Sequence, residues 1–273
     1  MFQRDFSMET NSILIAFGLT LIAGLSTGIG SVLAFFTKRT NTKFLSTALG
    51  FSAGVMIYVS FMEMLPEAKS SLIDSFGERT GVFYMLCAFF GGMLFISLID
   101  FVIPEDKNPH EIHNVEELSN KNYKSLNKTG IIIALSIAIH NFPEGIATFT
   151  SALNGLEIAI PITFAIAIHN IPEGIAVSVP IYHATGNKKK AFWLSILSGM
   201  AEPVGALFGF LILMPFWTPS LNGFILSAVA GIMIFISIDE LLPSAQKYGE
   251  HHLSIVGLIA GMATMALSLF LFI

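Results

Sequence analysis

Apolar residues gather along this chain into eight blocks, roughly 13–36, 44–65, 81–103, 130–151, 158–180, 191–213, 223–243 and 253–272, separated by short polar connections. Each block is close to the ~20 residues a helix needs to cross about 30 Å of hydrocarbon. The pattern predicts an all-α integral membrane protein of eight transmembrane helices, in which residues 1–273 form a single transmembrane domain. No soluble domain is expected, and the longest connection is a loop over 104–128. The first block follows a polar stretch with Arg4, Asp5 and Glu9. It is longer than a signal-peptide core and ends in no small-residue cleavage pattern, so it reads as a retained helix.

Composition agrees, with 53% apolar residues, 12% charged residues and a mean hydropathy of +0.73, far from a soluble domain. Charge adds orientation. Eleven of the fourteen basic residues fall in the odd-numbered connections: Lys38, Arg39 and Lys43; Lys107, Lys121, Lys124 and Lys128; Lys188, Lys189 and Lys190; and Lys247. Positively charged loops stay cytoplasmic, so both termini are expected on the extracytoplasmic side of the cytoplasmic membrane. The net charge of −5 resides in loops, and no basic run of the nucleic-acid type is present. Cys87 is the only cysteine, which excludes an internal disulfide and predicts a small buried residue.

The chemistry sits in the fourth and fifth blocks. His140-Asn141-Phe142-Pro143-Glu144-Gly145 and His169-Asn170-Ile171-Pro172-Glu173-Gly174 are near-copies, each at mid-membrane depth. A charged side chain there costs about 2.5 to 3.5 kcal/mol even on gentle insertion scales, so these groups need partners, and a metal cation is the simplest shared one. Each His and its Glu are at i and i+4, on one helical face. At about 1.5 Å per residue, Glu144 lies roughly 6 Å outward of His140 and Glu173 roughly 6 Å inward of His169. Glu202, at the midpoint of the sixth block, joins the same level. Pro143 and Pro172 each free a carbonyl, of Ile139 and Ile168, as an interior proline does, and freed carbonyls are tolerated where they line a polar cavity.

The duplication extends further. Ile137-Ala138-Ile139 before the first hexapeptide repeats as Ile166-Ala167-Ile168 before the second, 29 residues on. Residues 54–66 of the second block (GVMIYVSFMEMLP) align with residues 231–243 of the seventh (GIMIFISIDELLP), and a weaker echo joins 24–30 to 199–205. The paired blocks have opposite parity, so the copies cross in opposite directions. An inverted-repeat bundle with its site at the midplane is the architecture of secondary transporters. Glu63 falls near the outer end of the second helix, and Asp239 and Glu240 near the inner end of the seventh. They are either entrance and exit stations for a cation or interfacial carboxylates followed by a helix-ending proline.

The HNxPEG pair on consecutive helices, Ala201-Glu202-Pro203 on the next, and eight helices with both ends outward resemble the ZIP family of divalent metal transporters, and within it the bacterial ZupT-type zinc transporters. The resemblance covers essentially the whole chain. It implies a two-metal centre enclosed by the second, fourth, fifth and seventh helices. Its first site would use Glu144, His169 and Glu173 with His140; its second would use Asn141, Glu144, Asn170, Glu173 and Glu202, the two motif glutamates bridging.

Ligand chemistry points the same way, because imidazole suits Zn²⁺ while amide and carboxylate oxygens suit harder ions. Zn²⁺ is expected as transported cargo rather than cofactor, with Fe²⁺, Mn²⁺, Co²⁺ and Cd²⁺ as competitors. The 104–128 loop carries His110 and His113, where many ZIP relatives are His-rich. These, with His251 and His252, read as solvated histidines, and His183 as either a pathway or an interface residue. Gly91-Gly92 would permit close helix contacts within a subunit or in a homodimer. The competing reading is an intramembrane zinc-dependent hydrolase. Against it, a catalytic zinc keeps three ligands and an open position and needs no repeat symmetry. A polar cluster that merely locks helices must bear the cost of burying so many ionisable groups. No Walker-type loop is present, and the expectation is a permease rather than an enzyme.

Overall fold

The computed structural model describes residues 10–35, 42–102, 138–139, 141–153, 155–247 and 251–271. Every regular element among them is helical, as a chain that must satisfy its own backbone in hydrocarbon requires. The helices are α1 (Thr10–Ala34), α2 (Thr42–Val59), α3 (Leu65–Phe76), α4 (Glu78–Val102), α5 (141–153), α6 (Leu156–Thr185), α7 (Lys188–Gly199), α8 (Ala201–Phe208), α9 (Pro219–Ile236), α10 (Leu242–Lys247) and α11 (His251–Leu271). Seven helical rods among the described residues are long and apolar enough to cross a membrane. Of the fourth expected span, residues 130–137 and His140 lie outside the described residues, as does the 104–128 loop with His110 and His113.

Reversals are built from local chemistry. Gly77 (φ +82°) ends α3, its N–H donating to the Ile73 carbonyl at 2.8 Å. Gly186 (φ +64°) ends α6 with an N–H to Tyr182 at 2.7 Å. The side-chain oxygens of Asn187 and Thr218 cap α7 and α9, accepting the N–H groups of Lys190 and Leu221 at 3.1 Å, as N-cap residues do.

Prolines do not end the helices where the sequence suggested. The helix expected to stop at Pro66 passes through a π turn, Ser60–Met64, and continues as α3 to Phe76. The helix expected to stop at Pro243 passes through Ser237–Leu241 into α10. A third π turn, Gly209–Leu213, precedes Pro215. In all three the residue before the proline (Leu65, Leu242 or Met214) donates its N–H to the carbonyl five back, of Ser60, Ser237 or Gly209. A proline ring clashes with the carbonyl four residues back. One extra residue in the turn moves that carbonyl aside and lets the rod go on. The sixth span likewise runs longer than expected, with a turn at Met200 between α7 and α8.

Enclosure differs sharply between helices, and this decides where polar groups can sit. The apolar span of α6 is 78% buried, against 17% for that of α4. α6 packs on α1, α2 and α7, while α4 packs on α9 and α3 at the rim. Cys87 lies on the outer side of α4 and is exposed, contrary to the buried position expected of it. A rim helix in lipid needs only one covered face, and the remainder stays apolar without being inside the protein. α2 meets α11 through Gly50, Gly54, Gly257 and Gly261, where any Cβ would run into the opposing backbone. Small residues that let helix backbones approach are the usual basis of association in membranes.

Candidate metal centre

The two hexapeptides lie on α5 and α6, an antiparallel pair reversing at Gly155. Their closing glycines set the distance to the next helices. A Cβ on Gly145 would overlap the Glu202 carbonyl of α8, and a Cβ on Gly174 would overlap the Thr27 carbonyl of α1. The motif residues are thereby held against α8 and α1. Six of the seven expected site residues are described, and Asn141, Glu144, His169, Asn170, Glu173 and Glu202 are all at most 2% exposed. The seventh, His140, lies outside the described residues.

His169 is the hinge of the site. Its Nδ1 faces the Ala165 carbonyl at 3.0 Å, an acceptor that fixes the proton on Nδ1. Nε2 then points into the cluster, 3.2 and 3.3 Å from the two Glu144 carboxylate oxygens and 3.9 Å from Glu173 Oε1. In the neutral imidazole this Nε2 is a lone pair facing carboxylate oxygens, an arrangement that requires a cation or a proton between them. A carbonyl on the far ring nitrogen is also the usual outer support of a metal-ligating histidine.

The two asparagines are oriented by the same device. Asn141 Nδ2 donates to the Ser198 carbonyl of α7 at 3.5 Å, and Asn170 Nδ2 to the Ala23 carbonyl of α1 at 3.0 Å. Asn170 Nδ2 also donates to Glu202 Oε1. With its amide hydrogens so occupied, Asn170 Oδ1 has no hydrogen-bond partner among the described residues, and neither has Glu202 Oε2. Buried oxygen acceptors without donors are the atoms a hard or borderline cation seeks.

Among the described residues, His169 Nε2 thus faces two buried carboxylates, Glu144 and Glu173, and Asn170 meets a third, Glu202, while residues 129–187 and 191–246 contain no Lys or Arg. As they stand, no three His, Cys, Asp or Glu side chains among the described residues converge tightly enough to enclose an ion. The reason is visible in the pairing, since imidazole turns to Glu144 and amide to Glu202.

The peripheral candidates fare differently. Glu63, half-buried on its π turn, faces a cavity of about 410 Å³ together with Tyr58, Glu157 and Pro161. Glu157 was missed in the sequence, where it looks like an ordinary acidic residue in a first helical turn. Asp239 is exposed and Glu240 half-buried on the matching π turn. His183 belongs to α6, and its side chain lies outside the described residues. His251 and His252 are exposed at the start of α11, their rings edge to face at 5.6 Å.

Residues 104–269 match a family profile described as ZIP Zinc transporter. The chain is 60% identical over 278 residues to a protein of Clostridium perfringens named Zinc transporter ZupT, covering 96% of this chain and 98% of that one. A protein of the same name from Lysinibacillus sphaericus is 61% identical over 266 residues (96% and 99% covered). Another from Nitratidesulfovibrio vulgaris is 52% identical over 276 residues (97% and 100% covered).

Proposed function

The chain belongs to the ZIP zinc transporter family, and from that premise we propose that it carries Zn²⁺ across the cytoplasmic membrane into the cell, at a midplane centre built by His140, Asn141, Glu144, His169, Asn170, Glu173 and Glu202. The observation that carries the assignment is the His169 geometry: a nitrogen lone pair and carboxylates converge where the sequence supplies no basic side chain. The hydrolase reading is set aside, because the similar proteins are named as transporters across nearly the whole chain.

Paired contacts support an inverted repeat. Asn141 and Asn170 reach carbonyls at Ser198 and Ala23, and Gly145 and Gly174 abut Glu202 and Thr27. Under the 24–30 to 199–205 echo these partners correspond, Ala23 with Ser198 and Thr27 with Glu202. Gly54 abuts Leu258 and Met262 of α11, and its counterpart Gly231 abuts Phe89 and Met93 of α4. The equivalence of the π turns Ser60–Met64 and Ser237–Leu241 supports setting Glu63 and the Asp239-Glu240 pair toward opposite faces. We assign Glu63, with Glu157, to the outer entrance, and Asp239 and Glu240 to the inner exit. The lysine distribution places both termini outside.

The inverted halves then expose one site alternately to each face. The donor set of nitrogen and oxygen without thiolate favours Zn²⁺ and admits Fe²⁺, Mn²⁺, Co²⁺ and Cd²⁺. Protons compete for the same atoms, so carboxylate protonation assists release. The test is radioactive zinc uptake into proteoliposomes containing the parent protein or Glu173→Ala. Saturable uptake that vanishes in the variant supports the proposal. A folded parent that binds zinc and moves none contradicts it.

A further inference from the structure

Many buried hydroxyls among the described residues donate to a carbonyl of their own helix. Thr20 donates to Phe17 (2.9 Å), Thr27 to Gly24 (2.6 Å), Thr150 to Ala147 (3.2 Å), Ser198 to Ser195 (2.7 Å) and Ser237 to Met233 (2.7 Å). This is how a membrane helix ordinarily accommodates Ser and Thr. Others reach a neighbouring helix, as Ser31 reaches the Gly174 carbonyl and Ser227 that of Met85. Besides Ser268 near the end of α11, those that do neither are Thr148, Ser151 and Thr163. All three are more than nine-tenths buried, and none of their hydroxyl oxygens has a hydrogen-bond partner among the described residues.

Their positions form a set. Thr148 and Ser151 lie four and seven residues after Glu144, continuing its stripe along α5 away from the metal centre. Thr163 lies seven residues before Asn170, two turns along one face of α6. The reversal at Gly155 is seven residues from Thr148 and eight from Thr163, so the two stand at one level, about 6 Å beyond Glu144, with Ser151 about 10 Å beyond. The second hexapeptide has no such extension: Val177 is the residue four after Glu173. The feature belongs to one side of the centre, the side toward the α5–α6 reversal.

A hydroxyl kept dry and unbonded is unfavourable. A hydrated divalent cation supplies what these three lack, because its shell waters both donate and accept, and hydroxyl oxygens can take their place. We infer that Thr148, Ser151 and Thr163 form the outer approach to the metal centre, a hydroxyl-lined lane along which a divalent cation exchanges shell waters on its way to Glu144. The inference rests on the transport reading above. In the described conformation the lane is packed shut, and it becomes wet when the bundle opens outward.

The test removes each hydroxyl while keeping its shape, in Thr148→Val, Ser151→Ala and Thr163→Val, with Thr150→Val as the control whose hydroxyl is already bonded. Zinc uptake into proteoliposomes should show KM raised about threefold to tenfold in each of the three, with thermal stability no lower than the parent's and the control within about twofold of the parent. In a Cys87→Ser background, Thr148→Cys and Thr163→Cys should react with a membrane-impermeant thiol reagent from the outer side, slowed by zinc, while Thr150→Cys should not. Parent-like KM in all three hydroxyl variants, or no outer reactivity at either cysteine, overturns the lane. A parent that moves no zinc while Thr148→Cys stays outwardly reactive and zinc-protected overturns the transport reading instead.

Discussion

Gly174→Ala is expected to damage both the fold and the metal centre by a route that can be followed atom by atom. The added Cβ would overlap the Thr27 carbonyl and crowd the Thr27 backbone behind it, neither of which is a flexible side chain. Restoring an ordinary contact separates α1 from α6 by more than about 1 Å, and overpacking of this kind costs about 1–3 kcal/mol. One turn earlier, Asn170 Nδ2 holds the Ala23 carbonyl at 3.0 Å. The same displacement carries that bond beyond hydrogen-bonding distance, at about 1 kcal/mol. The sum is about 2–4 kcal/mol, and Asn170 loses the contact that orients it.

Misplacement of about 1 Å costs an enzyme site up to about 100-fold, and we expect at least about tenfold in zinc uptake here. Gly18→Ala and Gly91→Ala are the controls, since a Cβ at either position meets nothing within 4 Å. The assay pairs thermal unfolding in detergent with uptake into proteoliposomes. If Gly174→Ala melts and transports like the parent, or if Gly18→Ala is equally harmful, the close-approach reasoning is wrong.

Three further expectations follow from the site and one from the rim. Glu144→Ala should lower zinc uptake by more than about tenfold, since removing one partner of a buried charged cluster costs about 3–5 kcal/mol; parent-like flux would remove Glu144 from the centre. Asn141→Ala and Glu202→Ala should change the ratio of zinc to iron or manganese uptake more than they reduce zinc flux, measured by competition; unchanged ratios in both would dismiss a second ion position. Zinc affinity should fall as pH is lowered from 7 toward 5, because ligation needs a bare His169 nitrogen and ionised carboxylates; calorimetry in buffers of different ionisation heat should detect released protons, and their absence would argue against these ligands. Cys87 should react with a lipid-soluble maleimide without loss of uptake, and a slow or inactivating reaction would contradict its place on the rim of α4.

The sequence was most legible where chemistry and depth coincided. Two His-Glu pairs at i and i+4 in apolar blocks could hardly be packed in lipid without partners; all six described candidates are buried, with His169 against Glu144 and Glu173 and Asn170 against Glu202. The glycines of the same hexapeptides were less legible, because a missing Cβ declares its purpose only when the opposing carbonyl of Glu202 or Thr27 is in view. Pro66 and Pro243 misled, since a π turn absorbs a proline without ending the rod, and no local signal separates that outcome from a helix end. Cys87 misled for a different reason, as lipid accepts the apolar residues that water would drive inside. Glu157 escaped notice because its meaning depends on Glu63, 94 positions away in the chain and across one cavity.

Crystals grown with zinc and measured at its absorption edge would locate the ion without reference to activity. The predicted result is an anomalous peak within about 2.0–2.2 Å of His169 Nε2 and of carboxylate oxygens of Glu144 and Glu173. A peak confined to His251 and His252, or to any position away from α5, α6 and α8, would contradict the placement of the transport site at the midplane.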